Sequence, residues 1–547
     1  MKKLLAMLMV IPCISYSQWH QKEFLLGAFM NPDLTFVNQT ADSASVQQAI
    51  NAGLNILTYP YYYDYDAFNE NGIRWILNIC SQIGIKYIGT DSRHLITTGW
   101  RSSAISTFDS ATAQDVSNFY SSLSLNQKNA LYGFEIVDEP APSVMNASQL
   151  NVTHSWVSHF KSFDSDRVAI VDLLPVYAIN MGYQGFTSTS AYEDYLDEYL
   201  NSSDTNSNPY VAVYNNYLQS HGDIVRYFYN MNILREKAKT RPLWGHIDVN
   251  QRTSGFNPDR SYMRFSVNSH LAYGFKGIIY FPYENPDLES LVMNGIPTRK
   301  YQWAQEINNY ISNVVGPAIM SSKYIGTFHK SDFTNNDNNL IESIPINQKI
   351  NKNTPYHVDL SHPQSMAGIF YDENSKYMYL YIVNKGFADN FDTINVTVTL
   401  SGDKRNKVLT TPTTGTEWAY SIVQADYSDN LTYFMVDNLL PGEGRLFRII
   451  DVEGTAVDNI LCNYSVSINP NPFNSTTNIA LSIPIDDFVC LEVYDIFGEK
   501  VRTLLNEYKS AGTYNIVFDA NNFSNGIYMY IMRTSKIAKY GKMLLIK

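Results

Sequence analysis

From Phe24 to about Val315 the chain alternates short apolar runs with stretches of helical period. The apolar runs are FLLGAFM from residue 24, NILTY from 55, KYIGT from 86, LYGFEIV from 131, RVAIVDLL from 167, YVAVY from 210, PLWGHID from 242 and KGIIYFPY from 276. Runs of this length bounded by turn residues read as buried strands. Between them lie SVQQAINAG, GIRWILNICSQIG and DIVRYFYNMNILREKAK. In the second, Ile73, Ile76, Leu77 and Cys80 recur at spacings of three and four, which puts them on one helical face. Strand and helix in turn predict successive βα units. Eight such units in roughly 290 residues fit a closed (β/α)8 TIM barrel. A doubly wound sheet is the rival, but it rarely needs eight strands, and no GxGxxG or GxxxxGK[ST] follows any of the runs.

The pattern then changes period. Residues 331–356 are polar and turn-rich and read as an irregular linker. From His357 to about Asp451 the runs MAGIFYD, YMYLYIVNK, INVTVTL, KVLTTP, TYFMVDNL and GRLFRIID alternate apolar and polar positions, as antiparallel strands of a β-sandwich do. A last unit begins near Tyr464 with SVSINPNPFNSTTNIALSI and closes on KMLLIK. Its Asn-Pro, Phe-Gly, Ala-Gly and Asn-Gly pairs fall at the turns of a second, smaller sandwich. The expected fold class is therefore multidomain α/β plus all-β. Its segments are a leader over 1–17, a (β/α)8 barrel over 18–325, a β-sandwich over 326–455 and a second sandwich over 464–547.

Composition and the amino terminus narrow the functional classes. The 547 residues carry a net charge of -12, and no basic run appears outside the two ends, which argues against nucleic acid as a partner. Charged residues are sparse at 17%, while 41 Tyr and 27 Phe make the chain aromatic-rich. MKKLLAMLMVIPCISYSQ has Lys2 and Lys3, an apolar run from Leu4 to Ile14, then Ser15-Tyr16-Ser17. This is the layout of a secretory signal cleaved before Gln18. The run is too short to span a bilayer, and no transmembrane segment is expected in the mature chain. Cys80, Cys462 and Cys490 remain after cleavage. A Cys462–Cys490 bridge is permitted outside the cell, but an odd number without CxxC spacing gives no disulfide framework.

The carboxyl-terminal unit resembles the sorting domain of the type IX secretion system of Bacteroidota. The resemblance rests on Asn469-Pro470-Asn471-Pro472-Phe473, Tyr494-Asp495-Ile496-Phe497-Gly498 with Val501, Gly512-Thr513-Tyr514, Gly526-Ile527-Tyr528 and the basic end Lys542 to Lys547. It implies the type IX machinery as a partner and a secreted or cell-surface location, in agreement with the leader.

Active sites of (β/α)8 barrels sit at the carboxyl ends of the strands. The fourth run ends in GFEIVDEP, where two acids and a proline follow an apolar strand. This stretch resembles the fourth-strand signature of clan A glycoside hydrolases, an Asn-Glu-Pro whose Glu is the acid/base. The resemblance puts Glu139 in that role, with Asp138 standing where the Asn binds the sugar's 2-hydroxyl, and implies a polysaccharide or glycan substrate and no cofactor. Glycoside hydrolysis needs a second carboxylate facing the same anomeric carbon. The family takes it from a Glu ending strand seven, but here that strand reads PLWGHIDVN and offers Asp248, while strand eight reads GIIYFPYEN and offers Glu284. Both stay open as nucleophile. Substrate contacts are expected from Asp91 and Arg93 after strand three, Asn215 after strand six, Trp244 on strand seven, and Tyr61 and Tyr62 in the YPYYYDYDAF loop. Each has a plainer reading: Asp91 and Arg93 as a self-contained pair, Trp244 in the helix layer, the tyrosines packed on one another. Two further polar positions on these strands are Asp172 and His246, the latter read as a satisfied core histidine. The alternative to an enzyme is a catalytically silent barrel that binds carbohydrate or serves as a surface scaffold. A second carboxylate within about 10 Å of Glu139 supports hydrolysis over binding.

Overall fold

A computed structural model describes the chain from Trp19 to Lys547, except for residues 30, 31, 33, 59–68, 95, 98–106, 176–188, 219–223, 252–256, 331–356, 388–391, 402–405, 411–420, 424, 429–430, 452–464, 484–485, 496–499 and 535–537. The leader, with Lys2, Lys3 and Cys13, lies outside the described residues, as do Tyr61 and Tyr62. By its internal contacts the chain divides into one unit that holds residues 1–309 and a second that holds the rest, apart from an exchange of short stretches within 310–344.

In the first unit eight strands run parallel: β1 Leu25–Ala28, β2 Ile56–Leu57, β3 Lys86–Gly89, β4 Leu131–Asp138, β5 Val168–Leu173, β6 Ala212–Asn215, β7 Leu243–Asp248 and β8 Gly277–Phe281. Each pairs with the next, β8 pairs back onto β1, and the ring closes as a barrel. A two-residue strand, Ile96–Thr97, adds onto the end of β4. Among the described residues eight longer helices alternate with the strands: α1 Gln39–Asn51, α2 Glu70–Ile83, α3 Ser110–Ser121, α4 Ser143–Phe163, α5 Thr189–Leu200, α6 Ile224–Ala238, α7 Arg260–Ala272 and α8 Arg299–Tyr310, with a short helix, Leu125–Ala130, leading into β4. Side-chain oxygens of Asn38, Asn69, Asp109 and Asp259 accept the orphan first-turn amides of α1, α2, α3 and α7. Gly84, at φ 90°, ends α2 in the left-handed conformation that glycine adopts without penalty.

Which face of a strand looks inward decides which residues can meet. On β7, a Cβ at Gly245 would strike His270 of α7 at 2.3 Å, so Gly245 faces the helix ring. Period two then turns Trp244, His246 and Asp248 toward the barrel interior. Their contacts agree. Trp244 packs near Tyr132 and Trp19 at 6.2 and 6.5 Å between ring centres and donates Nε1–H to Gln21, making an aromatic floor. Phe134 of β4 stacks at 4.0 Å on Phe160 of α4 and belongs to the outer layer.

The second unit holds two all-β parts. In the first, a six-stranded sheet and a four-stranded sheet enclose Leu360, Ile369, Leu380, Val398, Val436 and Phe447. Their strands include Ser365–Tyr371, Met378–Asn384, Ile394–Ser401, Leu431–Leu439 and Gly444–Asp451, with Lys323–His329 pairing antiparallel onto Ser365–Tyr371. In the second, a three-stranded and a four-stranded antiparallel sheet close over Phe473, Ile479, Leu491, Phe518, Met532 and Met543. The fold is thus a (β/α)8 barrel followed by two antiparallel β-sandwiches, the class expected from the pattern.

Candidate active site

Glu139 follows directly after β4, and its backbone is unusual. It adopts φ 51°, and its amide donates to the Asp172 carbonyl of β5 at 2.9 Å. A left-handed conformation is costly for a non-glycine residue and is found where neighbouring structure imposes it. Here it carries the chain over the rim of the barrel just past Asp138. From β6, Asn215 Nδ2 donates to Glu139 Oε1 at 2.9 Å, and the Tyr217 hydroxyl donates to Asn215 Oδ1 at 3.2 Å. The Asn215 carboxamide is thereby oriented with its N–H toward the acid. Tyr217 stacks on Phe281 at 5.6 Å, and Phe281 lies 5.6 Å from Phe29.

Below this rim sits a second polar layer. Asp172 of β5 and His246 of β7 reach across β6 and meet at 2.9 Å, Oδ2 to Nε2, with 1% and 2% exposure. No donor among the described residues is aligned on either Asp172 oxygen, so the contact is an ion-pair approach and not a well-formed hydrogen bond. Phe29 caps His246 edge-on at 5.3 Å. Glu135, 3% exposed on β4, is electrostatically coupled to Asp172.

Four carboxyl groups in one barrel interior cannot all ionise cheaply. Burial pushes the Glu139 carboxyl above its ordinary range. The Asn215 hydrogen bond pulls it back, the Asp172 charge raises it again and His246 lowers it. Asp138 is raised well above its usual value by burial first, then by Glu139, Asp172 and Glu135. Glu135 is raised by burial and by Asp172. Burial and mutual charge thus raise the proton affinity of the acids at this end of the barrel.

The other sequence-derived candidates fall in distinct places. Asp248 ends β7 on the inward face, 4% exposed, and accepts the Asn250 amide at 3.0 Å. Behind it, the buried Lys300 ammonium donates to the carbonyls of Val249 and Glu289, both at 2.7 Å. Burial lowers Lys300 to about 8, opposed by the charges of Glu289 and Asp248. Glu284 is 7% exposed and accepts the Gly295 amide at 2.7 Å, which ties it to the hairpin of Val292–Met293 and Ile296–Pro297. Asp91 and Arg93 form a two-pronged pair at 2.6 and 3.0 Å. Arg93 also holds Glu70 of α2 at 2.7 Å and lies 5.4 Å from the ring of Phe119 on α3. Trp244 is in the floor. Of the candidates, the structure brings Glu139 and Asn215 into direct contact, and it couples Asp138 to Glu139. Asn216 turns the other way, bonded to Tyr214, Tyr227 and Asn230.

The residues around Glu139 that sequence reasoning undervalued are Asp172, His246 and Glu135. The signal was present: a lone Asp in the apolar VAIVDL, and the period-two row Trp244, His246, Asp248. Among the described residues no group of three His, Cys, Asp or Glu is arranged to hold a metal ion. A polar cleft of about 460 Å3 lies elsewhere, along α4 and the 202–207 turn, lined by Phe108, His154, His159 and several serines.

Comparison with known proteins adds one firm assignment. Residues 467–547 match the secretion system C-terminal sorting domain. The chain thus carries the address for export to the cell surface or beyond it. No sequence match to the curated proteins is found. Among solved structures, the endo-beta-1,4-mannanase from Thermotoga petrophila aligns with 97% of this chain and 100% of its own, at 10% identity and TM-score 0.38. A putative beta-galactosidase from Bacteroides fragilis aligns with 91% of this chain and 55% of its own, at 10% identity and TM-score 0.35. The beta-mannanase from Streptomyces thermolilacinus covers 50% of this chain and 86% of its own, at 14% identity and TM-score 0.32. Likeness at this level assigns no activity. Any assignment rests on the side chains.

Proposed function

We propose that the protein is an exported glycoside hydrolase acting on a polysaccharide or glycan, with Glu139 as the proton donor. The reading is carried by one observation: a carboxyl group at the carboxyl end of β4, held by Asn215 and set among buried acids that raise its proton affinity. A leaving sugar oxygen needs such a group, and a second carboxyl that stays ionised must serve the opposite side of the anomeric carbon. Asp248 is our choice for the second group. It tops β7 on the inward face, and its charge acts on the buried Lys300 behind it. Glu284 is engaged with its hairpin amide and is assigned a structural part. Asp138 is placed beside the donor as a substrate contact.

The test is hydrolysis of a glycan panel by wild type, Glu139→Gln and Asp248→Asn. General acid catalysis contributes on the order of 10²–10⁴-fold, and a loss of that size is expected for Glu139→Gln, with the fold intact by circular dichroism. Undiminished turnover in that variant removes the assignment. A second reading, a carbohydrate-binding barrel without catalysis, draws support from the aspartate that stands at the end of β7. Aspartate is one methylene shorter than glutamate, and one of its oxygens is occupied by the Asn250 amide. Glycan binding by a wild type that cleaves nothing on the panel would favour it.

A further inference from the structure

Asp172 and His246 form an almost fully buried acid–imidazole contact, and neither has a role in the proposal above. Their geometry is specific. They belong to β5 and β7 with β6 between them, so they meet over the inward face of β6. The Asp172 backbone carbonyl also takes the Glu139 amide at 2.9 Å, which links the pair to the acid through one peptide unit. A carboxylate at 1% exposure with no aligned donor is expensive to leave ionised, unless a cation lies against it. The imidazole at 2.9 Å is the group in reach.

We propose that Asp172 and His246 form a buried positioning pair, 2.9 Å apart and joined to Glu139 through the Asp172 carbonyl, that acts on the Glu139 carboxyl from behind the rim. This rests on the reading of Glu139 as proton donor. The groups that act on Glu139 are Asp138 beside it, Asp172 from β5, Tyr195 from α5, Asn215 from β6 and His246 from β7. Asp172 favours the neutral carboxylic acid, and His246 favours the carboxylate. Neither residue touches the reacting sugar. The pair acts only through Glu139 and never becomes part of the covalent chemistry.

The two members then have opposite signatures, which a merely structural role would not give. Asp172→Asn removes the negative member, and Glu139 releases its proton at lower pH. His246→Gln removes the positive member while a side-chain N–H still serves Asp172, and Glu139 holds its proton to higher pH. Each shift is expected to be on the order of one pH unit. The readout is the pH dependence of carbodiimide coupling at Glu139, followed by mass spectrometry of its peptide in the folded full-length protein, since the reagent couples to the protonated carboxyl. Where turnover is measurable, the alkaline limb of kcat/KM must move with it. Opposite shifts support the pair; shifts in one direction, or none, overturn it. If Asp172→Asn does not fold, the sign for His246→Gln decides alone. The coupling assay needs no hydrolysis, so a wild type without glycosidase activity removes the functional reading while this inference is still decided by its own data.

Discussion

At Glu139 the left-handed φ of 51° is held in place by the amide bond to Asp172 and the carboxamide of Asn215, so a strained residue and an acid with raised proton affinity coincide. Strain of this kind persists where surrounding structure over-determines it. If the strain serves to aim the carboxyl group, removing the Asn215 contact should alter the chemistry more than the fold. The Asn215 N–H stabilises the carboxylate form. Asn215→Ala is therefore expected to raise the pH at which Glu139 loses its proton and to shift the alkaline limb of kcat/KM upward, with little change in melting temperature. A pH profile alongside thermal unfolding checks both. The DEP motif made Glu139 legible, and a polar residue ending an apolar run did the same for Asn215. The Asp172–His246 contact was not legible, because it depends on which side chains of strands two apart turn to the same interior face. A single apolar-run pattern does not encode that.

Among the elements, the strand periods were readable and their packing tolerances were not. Seven of the eight barrel runs gave strands of four residues or more, whereas NILTY shrank to Ile56–Leu57. Glycines mark where a strand must pass unusually close to its neighbour. A Cβ at Gly133 of β4 would lie 2.2 Å from the Val168 carbonyl oxygen of β5, a backbone atom that cannot swing aside. Gly133→Ala is expected to cost about 1–3 kcal/mol through overpacking and to lower the barrel's melting temperature by several degrees. Gly84 makes the contrast, with nothing within 4 Å of a built Cβ but φ 90°. Its alanine variant pays only for the conformation, about 1–2 kcal/mol. Thermal unfolding of the two variants separates steric from conformational cost. An unchanged Gly133→Ala would mean that β4 and β5 are farther apart than described.

For the molecule as a whole, the tail supplies the destination, and it has a core of its own. Its sheets close over Phe473, Ile479, Leu491, Phe518 and Met543, and Glu492 on one of them accepts from Lys500 at 3.0 Å, the Tyr494 hydroxyl at 2.8 Å and Arg533 at 2.6 Å. The Lys500 hydrogen bond, then Tyr494 and Arg533, hold the Glu492 carboxyl below its usual 4.5 against the penalty of burial. A group depressed in the folded state stabilises fully above its unfolded value, and that stability is lost as pH falls through the folded one. The strand Asp487–Tyr494 should therefore lose amide-exchange protection, corrected for intrinsic rates, as pH falls below about 4.5. Glu492→Gln should flatten that dependence. Export makes the larger demand on the same domain. Since residues 467–547 match a sorting domain, a chain ending at Asp451 should keep the barrel and its acid pair folded yet remain inside the cell. The same residues fused behind a signal-bearing reporter should carry the reporter out. Fractionation with immunoblotting of both fusions measures this. Export of the truncated chain at the full-length level would show that the address lies elsewhere.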